Sequence, residues 1–371
     1  MIKNASIIEL GSSHEECFYS QILFLEKDGW NIHLLCSSVL KQRIENLNVK
    51  KVFFDLGKNV YSDILNLIRL RKILINKNIT KVIFNSAHGI LVRNFLLLPF
   101  PKKIEFTGII HDAGKILNSS NQKFINKKVK KYFVLSDYVL HYVRSLKMKD
   151  ITFESFYPIF QPEYSTALIN KTHNEFWICV PGRIEQKRRD YKSLLQNLIK
   201  TKLSGKVKII LLGRIDEKFK DELKISLEKL NLNHQFILFE KFIPNEIFYS
   251  YLQLSNLILP LIHPTDIWFD KYSKTQISGS YNMAYTYKIP MLSENSFSAY
   301  EDFKDTSFFY ETENLVDRIN CIAGNKEFYL SAKNKMYMLS KWSYEFQSKK
   351  FVEFLESKNL KIKKPENGSG F

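Results

Sequence analysis

Short apolar runs recur along the chain, each followed by a polar turn and then by a stretch whose apolar residues return at helical spacing. An uninterrupted apolar run predicts a strand buried on both faces, and the second spacing predicts an amphipathic helix. The first strand is "ASIIEL" at 5–10; "GSSHEE" turns the chain into a helix with Phe18, Ile22 and Leu25 on one face, stopping at Gly29. "NIHLLCS", "KKVFFDL", "TKVIFNSA", "KIEFTGIIHD" and "KKYFVLS" read as further strands. "VYSDILNLIRLRKILINKN" is a helix within this series, and another opens at Asp137.

Beyond Pro158 and Pro162 the alternation restarts. "EFWICVPG", "VKIILLG", "QFILFE", "NLILPL" and "IPMLSE" read as strands, separated by the helical "DYKSLLQNLIKTKL", "EKFKDELKISLEKLNL", "PNEIFYSYLQLS" and "SGSYNMAYTYK". Two successive βαβα series predict an α/β chain of two doubly wound Rossmann-like domains facing a cleft. The expected boundaries are 1–160 and 161–342. An apolar helix at about 343–360 is expected to pack back on the first domain, and residues 361–371 form a flexible polar tail.

Composition narrows the class. The chain has 371 residues, 45% hydrophobic and 25% charged, which is that of a globular protein and excludes wholesale disorder. Cys17, Cys36, Cys179 and Cys321 are far apart without CxxC spacing, which argues for reduced thiols rather than a zinc site or disulfide framework. No signal peptide or membrane span is expected: the apolar stretch before Gly11 already contains Glu9, and "FLLLPF" is short and carries Pro99. A cytoplasmic protein, peripheral on the inner face of the membrane, is the expected setting. The net charge of +17 fits nucleic acid, an anionic membrane or phosphorylated substrates, and a lysine-rich solvated surface accounts for it equally well.

Ligands of open parallel sheets bind beyond the carboxyl ends of the strands. That rule selects "GSSHEE", "NSAHG", "HDAGK", "PGRIEQKRR", "LGRIDE" and "HPTDIWFDKYSKTQISGS". In "PGRIEQK", Gly182 permits a sharp turn, and Arg183 and Lys187 can converge on one anion, a fork and a point charge suited to adjacent phosphates. An exposed basic turn is the alternative that spacing leaves open, and Arg188 and Arg189 are assigned to it.

"FWICVPGRIEQKRRDYKSLLQNLIK", "VKIILLGRIDEKFKDELKISLEKLNL" and "FILFEKFIPNEIFYSYLQLSNLILPL", in this order, resemble the donor domain of GT-B glycosyltransferases of the family 4 type. "GSSHEECFYSQILFLEKDGWNIHLLCS" resembles the opening of the acceptor domain, and "KKYFVLSDYVLHYVRS" a segment that carries a strand-end Ser there. The resemblance implies that Gly182, Arg183 and Lys187 bind the donor diphosphate. It implies that His111 and Asp112 are the strand-end catalytic pair near the transferred sugar, with a purely structural histidine as the other reading of His111. Gly11, Ser12, Ser13 and His14 would face the acceptor, with a helix cap as the other reading of His14. Phe242 and Ile243 would lie where the base stacks.

One departure stands out. The two glutamates usual in that family fall here on Thr275 and Met283. In their place Ser278, Gly279 and Ser280 open a helix whose free N–H groups favour an anion, with Lys274 as a further phosphate contact. Ser278 as a plain N-cap is compatible with this. No HExxH, DxD or clustered ligand set is visible, so neither a metal nor another cofactor is expected.

The implied activity is transfer of a sugar from a nucleotide diphosphate donor to a glycan or lipid-linked acceptor in surface polysaccharide synthesis, with retention. "QKFINKKVKKYF" and "RSLKMK" suit an anionic membrane. A nucleotide-sugar epimerase on the same scaffold is the alternative. A basic nucleic-acid binder is a lesser one, because no RNP, KH or helix-turn-helix signature appears and nucleic acid is not an expected partner.

Overall fold

The computed structural model describes residues 3–57, 59–117, 119–166 and 169–358, so the predicted tail at 361–371 lies outside the described residues. The chain divides into two compact units. One runs to Pro158 and resumes at Tyr344; the other spans Ile159–Ser343.

Unit 1 is built on a seven-stranded sheet of β1 (Lys3–Glu9), β2 (Trp30–Ser37), β3 (Lys50–Phe54), β4 (Lys81–Phe84), β5 (Glu105–Ile110), β6 (Lys131–Val134) and β7 (Thr152–Ser155). Their spatial order is β3-β2-β1-β4-β5-β6-β7, with every pair parallel. The connecting helices are α1 (Phe18–Lys27), α2 (Val60–Asn76), α3 (Gly89–Leu97), α4 (Ser120–Lys128) and α5 (Asp137–Ser145). Central β1 is apolar because it is covered on both faces: Ile7 lies opposite Leu34 and Ile83, all fully buried. Each such side chain contributes about 1.5–3 kcal/mol relative to exposure.

Unit 2 repeats the scheme with β8 (Phe176–Pro181), β9 (Val207–Leu212), β10 (Phe236–Leu238), β11 (Leu257–Ile258), β12 (Met291–Glu294) and β13 (Ser307–Tyr310), in the order β10-β9-β8-β11-β12-β13 and again parallel. Its helices are α6 (Tyr191–Lys200), α7 (Glu217–Lys229), α8 (Asn245–Leu254), α9 (Gly279–Tyr287), α10 (Glu301–Lys304), α11 (Leu315–Gly324) and α12 (Lys326–Met338). In both sheets the strand order reverses beside the first strand, at β1/β4 and at β8/β11. A crevice opens at such a switch point.

The last helix, α13 (Tyr344–Glu356), belongs to unit 1. Phe351 stacks on Phe133 at 4.4 Å and packs against Phe24 and Phe156. Gln347 accepts the Tyr157 N–H at 3.1 Å, and Lys350 Nζ lies 2.6 Å from Ser155 Oγ.

Several elements escape the periodicity. Strand β7 buries only Phe153 and Ser155, so its pattern is too polar to read as a strand. Helices α3 and α4, strand β13 and the α11–α12 pair are likewise absent from the reading. The basic segment 122–133 needs a correction: it is not a continuous cationic face. Lys131 is 1% exposed, and its ammonium donates to the carbonyls of Phe354, Leu355 and Ser357, capping α13. No helix among the described residues is long and apolar enough to cross a membrane.

Candidate functional site

The switch point of unit 1 is organised by a buried acid. Glu9, 1% exposed at the end of β1, accepts from Gly11 N–H at 2.7 Å, Asn85 Nδ2 at 2.9 Å and Ser86 Oγ at 2.6 Å. Burial raises its pKa above the usual carboxylate range, and the hydrogen bonds from Ser86, Asn85 and Gly11 counter part of that rise. Glu9 thereby ties the loop after β1 to the loop after β4. Asn85 extends the tie to the His14 carbonyl at 2.9 Å and accepts from Gln21 Nε2 at 2.7 Å. Glu9, Gly11, Ser13, Ser86, His88 and Ile90 are among the residues lining a recess of about 200 Å³.

His14 and His111 meet beside this crevice. The His14 backbone is left-handed, with φ of 71°, and its ring stacks on His111 with centroids 3.6 Å apart and planes 17° from parallel. His111 is 6% exposed, and its Nε2–H donates to the Asn85 carbonyl at 2.7 Å. Burial, with His14 alongside, pulls the His111 pKa down to about 3, so its ring is neutral at pH 7. Burial also lowers His14, but the hydrogen bond and charge of Glu16 outweigh it and leave His14 raised. Asp112, the other half of the predicted pair, caps a 3₁₀ turn by accepting the Gly114 N–H at 3.1 Å.

Ligand atoms of His14, Glu16 and His111 lie within 4.8 Å of one another, a cluster that sequence reading did not see. Zinc-type ligation needs each imidazole lone pair, which lies in its ring plane, aimed at one point about 2 Å away. Nearly parallel rings stacked at 3.6 Å do not converge in that way.

Unit 2 presents the opposite chemistry. Gly182 follows β8 with φ of +101°, a conformation that favours glycine, and Gly213 follows β9 so closely that a Cβ there would lie 1.9 Å from the Gly182 carbonyl oxygen. This turn delivers Arg183, 58% exposed at its side chain, which pairs with Asp216 at 2.9 Å and Glu185 at 3.4 Å. Arg188 pairs with Glu185 at 2.6 Å and lies over the Trp268 ring. Arg189 is buried, 8% exposed, and its guanidinium donates to the carbonyls of Pro181 and Pro260, joining the ends of β8 and β11.

Helix α9 begins at the same place. Its N-cap, Ser278, makes no side-chain cap and hydrogen-bonds Ser280 Oγ at 2.7 Å instead. The first amide groups of α9 are therefore left without a cap from that side chain. Gly182, Arg183, Arg188 and Arg189 from one side, and Ser278–Ser280 from the other, line a recess of about 170 Å³ together with Tyr272 and Met283.

Behind it, Asp190 caps α6 through Ser193 N at 2.9 Å and accepts from His263 Nδ1–H at 2.8 Å, while His263 Nε2 lies 2.7 Å from the Tyr310 hydroxyl. Burial raises Asp190, but His263 and Ser193 outweigh this and hold it at about 2. Leu261, left-handed at φ 54°, is fixed by the Asp190 N–H to its carbonyl.

The structure thus brings together Gly182, Arg183, Ser278, Gly279 and Ser280. Lys187 and Lys274 are exposed and do not line the recess, and Lys274 pairs with Asp270 at 2.8 Å. Phe242 is 84% exposed and Ile243 buried, both outside the recess lining. In unit 1, Gly11 and Ser13 line the other recess, and Ser12 is exposed without lining it. Sequence reasoning missed Glu9, Asn85 and Arg189. A charge interrupting an apolar strand marks Glu9, whereas nothing local distinguishes Arg189 from Arg188.

No family model matches the sequence, and no curated protein matches it. Solved structures do. The HepE protein of Anabaena, crystallised in complex with UDP, is 12% identical with a TM-score of 0.66, covering 95% of this chain and 99% of its own. A glycosyltransferase from Rickettsia africae is 14% identical, with a TM-score of 0.66 and coverage of 95% and 98%. A putative UDP-N-acetylglucosamine 2-epimerase from Listeria monocytogenes is 12% identical, with a TM-score of 0.62 and 95% of both chains covered. The likeness is one of fold: two parallel-sheet α/β domains of the GT-B type.

Proposed function

We propose that this chain is a glycosyltransferase that moves a sugar from a nucleotide diphosphate donor to a glycan or lipid-linked acceptor, with retention of configuration, in surface polysaccharide synthesis. The observation that carries the reading is the recess at the β8/β11 switch point, where three arginines and the start of α9 border one small volume. A diphosphate is the ligand class that such a set of forks and amides suits. The presence of UDP in the Anabaena neighbour supports the same assignment.

As the anomeric C–O bond breaks, negative charge collects on the departing phosphate oxygen. Arg183, Arg188 and Arg189 and the amides of Ser278–Ser280 would stabilise it, and loss of one preorganised donor costs about 3–4 kcal/mol, or a rate factor of ~10²–10³. Unit 1 would supply the acceptor side through Gly11–His14. Neutral His111 would serve there as a fixed hydrogen-bonding group rather than as an acid.

An epimerase reading has the Listeria neighbour in its favour. Epimerisation, however, moves protons on the sugar and needs a general base and acid, and among the described residues no carboxylate lines the unit 2 recess.

The test is a thermal-shift screen against UDP, GDP, TDP and CMP with wild type and Arg183→Ala. A nucleotide at a hundred times its dissociation constant should stabilise the wild type by about 2.7 kcal/mol, and the variant should lose that gain. If no nucleotide stabilises the wild type, the reading fails. A stabilising sugar nucleotide that is turned over without any acceptor, to an isomeric sugar nucleotide, would establish the epimerase instead.

A further inference from the structure

The wall that Ile262 gives the unit 2 recess is held by buried polar groups. Three of the four residues from Pro260 to His263 are fixed by one dipeptide. Arg189 donates to the Pro260 carbonyl, the Asp190 N–H donates to the Leu261 carbonyl at 3.0 Å, and the Asp190 carboxylate accepts His263 Nδ1–H at 2.8 Å. The fourth residue, Ile262, is the one that lines the recess. Leu261 is left-handed at φ 54°, a conformation that a leucine keeps only where its surroundings fix it. The His263 N–H donates to Asp266 at 2.8 Å and closes the turn that leads out of the wall.

The chain of bonds continues past the wall. His263 Nε2 lies 2.7 Å from the Tyr310 hydroxyl, at the end of β13. Asp190, His263 and Tyr310 are all buried. One line of hydrogen bonds therefore joins the start of α6, the loop after β11 and the end of β13. Capping of α6 does not call for it. That cap uses Asp190 Oδ1 on the Ser193 N–H, whereas Oδ2 is the oxygen that faces the imidazole. Stability does not call for it either. Apolar side chains of the same volume often stabilise as well as a buried ionic network does, and what the network adds is direction.

We propose that Asp190, His263 and Tyr310 are positioning residues of the donor recess, holding Ile262 and the Arg189 guanidinium where a diphosphate fits between them and the start of α9. The inference rests on the donor reading above. The three stand behind the recess and act through Arg189 and Ile262, which line it. They set how tightly the folded protein binds its nucleotide, and the hydroxyl at the end of β13 thereby reaches the crevice at β8/β11.

The experiment is calorimetric titration of the full chain with UDP, GDP and TDP, beside chemical denaturation of each protein. Tyr310→Phe keeps the ring and its packing and removes one hydroxyl. The dissociation constant of the nucleotide that binds should rise about fivefold. His263→Leu breaks both bonds of the imidazole and should raise it about thirtyfold. Asp190→Asn keeps an oxygen for the α6 cap and an amide toward the ring, so it should recover most of the affinity lost in Asp190→Ala. Asn197→Ala is the control for stability alone. Asn197 is buried in the same helix and donates to the Thr312 carbonyl at 2.8 Å, so its loss should lower the denaturation midpoint and leave the dissociation constant unchanged. Wild type that binds none of the three nucleotides overturns the donor reading, and this inference with it. Wild type that binds, with Tyr310→Phe and His263→Leu binding equally well, overturns the inference alone. So does an Asn197→Ala variant that weakens binding as much as they do, because affinity would then follow stability. If His263→Leu does not fold, Tyr310→Phe and the two Asp190 variants decide.

Discussion

The two switch points share a topology and differ in almost everything else. At β1/β4 a buried carboxylate, Glu9, gathers neutral donors, and a stacked histidine pair lies alongside. At β8/β11 a buried guanidinium, Arg189, gathers carbonyls, and further arginines and a helix N-terminus look into the recess. Each crevice is thus stapled by one ion of the sign opposite to its partners' dipoles. On the proposed function, the sign of that staple matches what each crevice would accept: an anion at the second, neutral hydroxyl-bearing groups at the first. Topology places the two crevices, and one buried charge per sheet gives each its polarity.

The comparison can be broken most severely at Gly213. Gly213→Ala places a Cβ 1.9 Å from the Gly182 carbonyl, so unit 2 should lose more than about 3 kcal/mol in chemical denaturation, along with nucleotide binding, while unit 1 keeps its transition. Removing the staple of unit 1 by Glu9→Ala leaves Gly11, Asn85 and Ser86 without their acceptor. This should cost about 2–4 kcal/mol, read in the same way, with the nucleotide shift intact. Survival of unit 1 in that variant would mean that Glu9 is not its organiser.

Proton linkage sharpens the contrast. His111 is depressed to about 3 when folded, so between that value and its unfolded value the unfolded chain binds the extra proton. Its contribution is present above about pH 6.5 and is lost on acidification, about 2 kcal/mol by pH 5. Glu9, with a raised pKa, acts in the opposite sense, so the difference between wild type and His111→Asn across pH 7 to 5 isolates the histidine. A pH-independent difference would refute the buried neutral ring. The smallest effect belongs to Lys274→Ala, which removes an exposed pair with Asp270 and should leave the denaturation midpoint where it is in the wild type. Unchanged nucleotide affinity in that variant would confine the phosphate contacts to the recess.

Much of the fold was legible because its strands are buried on both faces and their turns carry glycine. "FWICVPG" announces both β8 and the bend at Gly182. The edge strand β7 was not, since half-exposed strands lose the apolar signal. Of the sites, Arg183 and Ser278–Ser280 were readable from position after a strand or before a helix. Arg189 was not, because its burial depends on carbonyls at Pro181 and Pro260, far apart in sequence. Lys131 misled for the same reason: its partners lie in α13, at the other end of the chain.

That last helix has a consequence for how the chain is made. Phe351 and Leu355 of α13 are wholly buried in unit 1, Phe351 against Phe24, Phe133 and Phe156, yet all of unit 2 separates them from Pro158. On the ribosome, unit 1 must wait with those aromatic rings uncovered until Ile159–Ser343 has been synthesised, while unit 2 can fold as soon as it emerges. The half of the protein that is translated first is therefore the half that is completed last, with apolar surface open in the interval.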